Sequence, residues 1–142
     1  MPQLLVQIIA GGVLITCSTA VQVLTIAAMM AMSHRLSRLM ANVGRMRATF
    51  VIAAGGLWVI FGQLLGVWIW AVAFLILNAF ADLETSLYFS LSAYTTLGFG
   101  DVLPHQDWRI LGALVGANGM LGFGLATAAL VEFIGRIRSW TE

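Results

Sequence analysis

Three long stretches of this chain carry no charge at all. Leu4 to Met32, Ala48 to Phe80 and Ile110 to Val131 contain no Asp, Glu, Lys or Arg. A helix needs about 20 apolar residues to cross a bilayer, and an uncharged run of 18 or more is a candidate span. All three runs qualify. Of the 142 residues, 61% are hydrophobic and 9% charged, whereas soluble domains carry charge on about a quarter of their residues. So much apolar surface cannot be hidden in one small water-soluble core, and the solvent it asks for is lipid. The expected fold is an all-α membrane protein, because helices satisfy their own backbone within lipid. The net charge of +1 creates no basic field aimed at nucleic acid. Cys17, the single cysteine, can form no disulfide within the chain.

The arginines set the expected orientation. Arg35, Arg38, Arg45 and Arg47 crowd the connection between the first two runs, and Arg136 and Arg138 follow the third. Only Arg109 lies elsewhere. The positive-inside rule places the first connection and the C-terminal end in the cytoplasm, with the N-terminus and residues 81–109 outside. The chain then reads as a multi-pass protein of the cell's inner (plasma) membrane. If residues 81–109 crossed the bilayer completely, the two arginine groups would face opposite sides. The segment is therefore expected to enter and return. The first run has no positive leader and is too long for a signal-peptide core, so a retained helix is expected.

The segment that turns back has two parts. "DLETSLYFSLSAY" reads as a short helix, with Asp82 or Thr85 as its cap and Glu84 suited to the positive end of the dipole. About a dozen helical residues rise less than 20 Å, too little to cross. The pattern then breaks into "TTLGFGD", residues 95–101. Gly98 and Gly100 accept positive φ, which other residues resist. Alternating handedness lets successive carbonyls point the same way. Bare carbonyls are tolerated at membrane depth only where they line water or an ion path, and a desolvated monovalent cation is their natural partner.

Here the residues resemble a known family. "TTLGFGD" resembles the potassium-channel signature, whose common form is Thr-Val-Gly-Tyr-Gly-Asp. "GMLGFGLATAALVEF" resembles the inner helix of bacterial two-helix potassium channels. The likeness covers residues 50–138 in the order outer helix, pore helix, filter, inner helix. It divides the chain into an additional N-terminal helix (1–33), a cytoplasmic arginine-rich loop (34–47), a pore module (48–138) and a short cytoplasmic tail (139–142). The implied architecture is three transmembrane helices plus a re-entrant pore helix and filter loop. Because one loop cannot encircle an ion, four chains would close into a homotetramer in the bilayer.

The resemblance implies roles residue by residue. The carbonyls of Thr96, Leu97, Gly98 and Phe99 would form the potassium sites, with the Thr96 hydroxyl closing the innermost and Gly100 letting the strand exit. Asp101 would anchor the filter, hydrogen-bonded to Ser92 or Tyr88. Gly119 falls on the family's inner-helix hinge, and Gly119→Ala would then alter gating in a protein that otherwise folds well. Met120, Phe123 and Thr127 share one helical stripe, which the family places on the cavity, and Val131 continues it toward the cytoplasmic mouth with Ile134. Leu97 replaces the usual Val or Ile, and Phe99 replaces Tyr. Phe89 stands where many relatives have a Trp, so Phe89 and Phe99 are expected to make an apolar pair.

Simpler readings apply to other positions. Gly112 and Gly116 form a small-xxx-small pair suited to close helix packing. Asn118 either faces the cavity or pairs with Thr95 or a neighbouring helix. Trp68, Trp70 and Trp108 read as interfacial belt anchors. Arg109 is expected to pair with Asp107, and Glu132 with Arg136 at i+4. His34 and His105 read as solvated. Asp82, Glu84, Asp101 and Asp107 would surround the outer entrance and concentrate cations. A plain turn explains neither the threonine pair nor Asp101, and a phosphate loop lacks its third glycine and following helix. The implied activity is passive, potassium-selective conduction rather than catalysis, with permeant potassium ions and no cofactor. The alternatives are a weakly selective cation channel, a potassium transporter subunit, or a non-conducting regulatory membrane subunit.

Overall fold

A computed structural model describes residues 2–39 and 45–138. Residues 40–44, the 139–142 tail and the His34 side chain lie outside the described residues. Helix α1 runs Pro2–Leu39, α2 Arg45–Ile76, α3 Leu83–Tyr94 and α4 Arg109–Arg138. A single 3-10 turn, Gln106–Trp108, precedes α4. There is no strand among the described residues. Three helices are long and apolar enough to cross a membrane, over Gln3–Ser33, Met46–Ile76 and Gln106–Arg138. Helix α3 has only 12 residues, about 18 Å of rise, and cannot. The protein is an all-α multi-pass membrane protein with a short re-entrant helix between its second and third spans.

The end of α2 explains how the chain turns back. Asn78 takes φ 51°, Ala79 N donates to the Phe74 carbonyl at 2.9 Å, and Asn78 N donates to the Leu75 carbonyl at 3.1 Å. This is a Schellman ending with asparagine in the left-handed position that glycine usually fills. It satisfies carbonyls that lipid could not. Asp82 then starts α3 four residues later.

Pairings along the helices define the directions. Gln7 meets the first amides of α4, and Gln22 meets Gly122, so α1 runs parallel to α4. Ser18 lies beside Gly66 and Thr25 beside Gly62, so α1 is antiparallel to α2. Helix α3 descends with α4: Phe89 lies at Gly112, Ala93 at Gly116 and Tyr94 at Gly119. The chain then climbs back, since Asp101 is bonded to Tyr88. The 95–101 loop begins at the depth of Gly119, while its exit at Asp101 and the start of α1 therefore share one end of the molecule. Arg47, Arg136 and Arg138 share the other.

Helices in lipid gain little from hydrophobic burial against one another, and close packing and polar contacts carry more of the association. Both are present here. One apolar cluster joins Val67, Trp70, Phe74, Phe89, Tyr94, Leu111 and Val115. Within it the Phe89 ring meets Phe74 edge-on at 5.3 Å and Phe80 at 5.1 Å. A second cluster near the arginine end joins Met29, Ala129, Phe133 and Ile137. Polar contacts tie in α1. Gln7 Oε1 accepts from Ile110 N at 3.1 Å and Leu111 N at 3.2 Å, supplying partners to amides that a helix start leaves open.

Candidate functional site

The site is built on α3. Asp82 is extended and caps the helix: Thr85 N donates to its Oδ1 at 2.7 Å, and Thr85 Oγ1 to its Oδ2 at 2.8 Å. These two donors hold the Asp82 carboxyl below its ordinary pKa, the backbone amide contributing most. At the other end the helix closes on Thr95, whose N–H and hydroxyl both reach the Leu91 carbonyl.

Beyond Thr95 the amides fold back onto the end of α3. Thr96 N donates to the Ala93 carbonyl at 3.0 Å, and Gly98 N to the Ser92 carbonyl at 3.2 Å. Phe99 N approaches Ser92 Oγ at 3.4 Å. Ser92 thus holds two loop amides, while Asp101 is held by Tyr88, whose Oη donates to its Oδ2 at 2.7 Å. That hydrogen bond is the chief cause of the lowered Asp101 pKa, and it raises the pKa of Tyr88.

The loop backbone alternates. Thr96, Gly98 and Gly100 have φ of 60°, 57° and 77°. Among the described residues Leu97 and Phe99, between them, have no positive φ. Gly98 and Gly100 fit the sequence expectation. Thr96 does not, because a β-branched residue is a genuine outlier there, at a cost of about 1–2 kcal/mol. Thr96, Leu97, Gly98, Phe99 and Gly100 are all exposed on the single chain. On α4, Met120 (67% exposed), Phe123 (42%) and Val131 (67%) lie with Thr127 on an uncovered face. Loop and stripe are thus among the surfaces that one chain leaves open, together with apolar faces of α1 and α2 such as Leu24, Phe50 and Leu57.

Several expectations need correction. Trp70 is no belt anchor: it is fully buried, and its Nε1 donates to Asn118 Oδ1 at 2.8 Å. Of the readings open for Asn118, pairing with neighbouring helices is the one that holds, since it also donates to Thr19 Oγ1 at 3.3 Å. Phe99 is 66% exposed, and the Phe89 ring is occupied by Phe74 and Phe80. The expected Phe89–Phe99 pair is not made within one chain. Asp107 meets His105 at 3.1 Å rather than Arg109. Glu132 does accept from Arg136 Nε, at 3.2 Å. Gly119 has a packing role: a Cβ there would lie 1.9 Å from the Tyr94 carbonyl oxygen, so Gly119→Ala cannot be a benign change.

One group escaped the sequence reading altogether. Tyr94, the last residue of α3, is 1% exposed, and its Oη donates to Gln63 Oε1 at 3.2 Å. Ser18 and Gln22 of α1 lie beside it. The available signal was the repetition of Gln7, Ser18, Gln22 and Ser33 along one face of a mostly apolar helix, and all four are buried.

Comparison with known proteins bears on the class of protein. A family model described as "Ion channel" matches residues 62–136, from the middle of α2 to the end of α4. Over 72 residues the chain is 38% identical to the TWiK family of potassium channels protein 18 of Caenorhabditis elegans, covering 49% of this chain and 15% of that protein. No solved structure matches. Both matches support the potassium-channel-superfamily pore module read from the motifs. With more than half of its residues in the family match, and with the outer helix, re-entrant helix, loop and inner helix in order, the chain belongs to the ion channel family.

Proposed function

We propose that four copies of this chain assemble around the 95–101 loop into a potassium-selective channel that conducts passively. The backbone alternation at Thr96, Gly98 and Gly100 is the observation that carries this reading. An extended loop of alternating handedness can aim consecutive carbonyls of Thr96, Leu97, Gly98 and Phe99 at one axis. A ring of such carbonyls replaces the hydration shell of potassium and compensates sodium less well. One chain supplies a quarter of each ring, and the exposure of the loop and of the Met120, Phe123, Thr127 and Val131 stripe suits burial around a fourfold axis. Tyr88 and Ser92 hold the loop from behind, and Gly119 is the hinge in this reading. Permeant potassium is the only ligand required.

The name of the worm relative favours potassium as the ion, although the chain spans 15% of that protein. In orientation the N-terminus and loop face outward and the arginine end faces the cytoplasm of the inner (plasma) membrane. The exposed Asp82, Glu84, Asp101 and Asp107 then surround the outer mouth. Purified protein in potassium-loaded liposomes tests the proposal. Potassium efflux blocked by barium is expected, and Gly98→Asp should abolish it. A wild-type protein that releases no potassium under any driving force contradicts it.

A further inference from the structure

We propose that Gln22, Gln63 and Tyr94 are positioning residues for the filter, and that through them the additional helix α1 sets conduction and selectivity. The proposal rests on the channel reading above and deepens it.

Tyr94 directly precedes the Thr95–Thr96 pair. Its backbone is pressed against α4, where a Cβ on Gly119 would meet the Tyr94 carbonyl oxygen. Its ring packs edge-on to Phe123 of α4 at 6.3 Å, and its hydroxyl donates to Gln63 Oε1 of α2 at 3.2 Å. The same hydroxyl and Ser18 Oγ of α1 both border Gly66, lying 2.7 Å and 3.0 Å from the position a Cβ would take. Gln22 of α1 completes the group. Its Nε2 donates to the Gly122 carbonyl at 2.7 Å. Its Oε1, Gln63 Oε1 and Tyr94 Oη each lie 2.9 Å from where a Gly122 Cβ would sit. The end of the pore helix is thus tied to all three spans at one depth.

Two features show that this group is more than filler. Gln22 is 3% and Gln63 8% exposed, and among the described residues Ser18 Oγ, Gln22 Oε1 and Gln63 Nε2 have no hydrogen-bond partner. Buried orphan amides cost more than an apolar replacement of the same shape, so packing alone would not select them. The group is also placed to act. Ser92 and Ala93, which hold the loop amides, immediately precede Tyr94. A small shift of Tyr94 therefore displaces the loop itself. Helix α1 reaches the group through Ser18 and Gln22, and a movement of α1 in the bilayer is transmitted by them.

Full-length protein in planar bilayers provides the test. Wild type, Gln63→Leu, Tyr94→Phe, the double variant and Gln22→Met are compared for potassium-to-sodium permeability ratio and for current decay at sustained voltage. Each single variant should change one of these by about fivefold or more. The double variant should resemble one single variant instead of multiplying their effects, because both remove the same contact. If a variant does not assemble, Ser18→Ala removes one oxygen and little volume, and the same readouts apply. Assembled variants with wild-type ratio and decay overturn the proposal, as do independent, multiplying effects of Gln63→Leu and Tyr94→Phe. A wild type that carries no potassium current overturns the channel reading instead, so the two failures are distinct.

Discussion

At Gly119 a single hydrogen separates fit from collision. The Tyr94 carbonyl lies where a methyl group would go, and neither backbone can yield as a flexible side chain would. Gly119→Ala should lower stability by about 1–3 kcal/mol through overpacking, read as earlier thermal unfolding and loss of assembled protein in detergent. Unchanged melting would remove the close approach as its reason. Asp101 makes a second prediction. Its pKa is lowered by the Tyr88 hydroxyl, so its anchoring is fully present above the ordinary carboxylate value of about 3.9. The anchoring is lost as pH falls from there through the lowered folded value. Current should therefore be steady as the loop side is acidified from neutral to about pH 5. Tyr88→Phe should shorten the life of the conducting state at neutral pH, measured as faster current decay. Equal decay in Tyr88→Phe and wild type would show that Asp101 is held otherwise. The glycines at 98 and 100 were legible because positive φ has a residue preference. Thr96 was not, because nothing in a β-branched residue announces the same conformation.

Among the elements, α3 was the most legible. Its cap, its length and its end all follow from local chemistry: Asp82 accepts from Thr85, 12 residues cannot span, and the pattern fails after Tyr94. The three spans were clear in existence, since an uncharged run has few solvents to choose from, but their helices run on into the expected 34–47 loop, α1 to Leu39 and α2 from Arg45. What joins them was hidden. A buried Gln22 and a lipid-adjacent one look alike in a sequence, and Trp70 has the amphipathic ring of an interfacial anchor although it is buried against Asn118. That pair yields a prediction for the interface of α2 and α4. Asn118→Leu leaves the Trp70 indole N–H buried without its acceptor and should cost about 1–3 kcal/mol. Adding Trp70→Phe should return part of that loss, because the orphan donor goes with it. A double variant less stable than Asn118→Leu by the full cost of Trp70→Phe would show that the two do not interact. Thermal unfolding of the purified variants decides.

For the whole molecule, the parallel course of α1 and α4 puts the start of the chain beside the loop and gathers Arg47, Arg136 and Arg138 at the far end. An additional helix that merely aided insertion would not need Gln7 at the start of α4, Thr19 at Asn118 and Gln22 at Gly122. Helix α1 is packed and hydrogen-bonded along α4 and α2. If four copies close around the open loop and the α4 stripe as proposed, cross-linking in lipid should give a ladder ending at four. A ladder ending at two would contradict fourfold closure. The function itself turns on the ion. Purified wild-type protein in a planar bilayer, with potassium on one side and sodium on the other, yields a reversal potential. Four consecutive carbonyl sites predict a potential displaced strongly toward the potassium equilibrium value, and a current blocked by barium. A reversal near zero with no barium block would mean that Thr96, Leu97, Gly98 and Phe99 do not form a potassium filter.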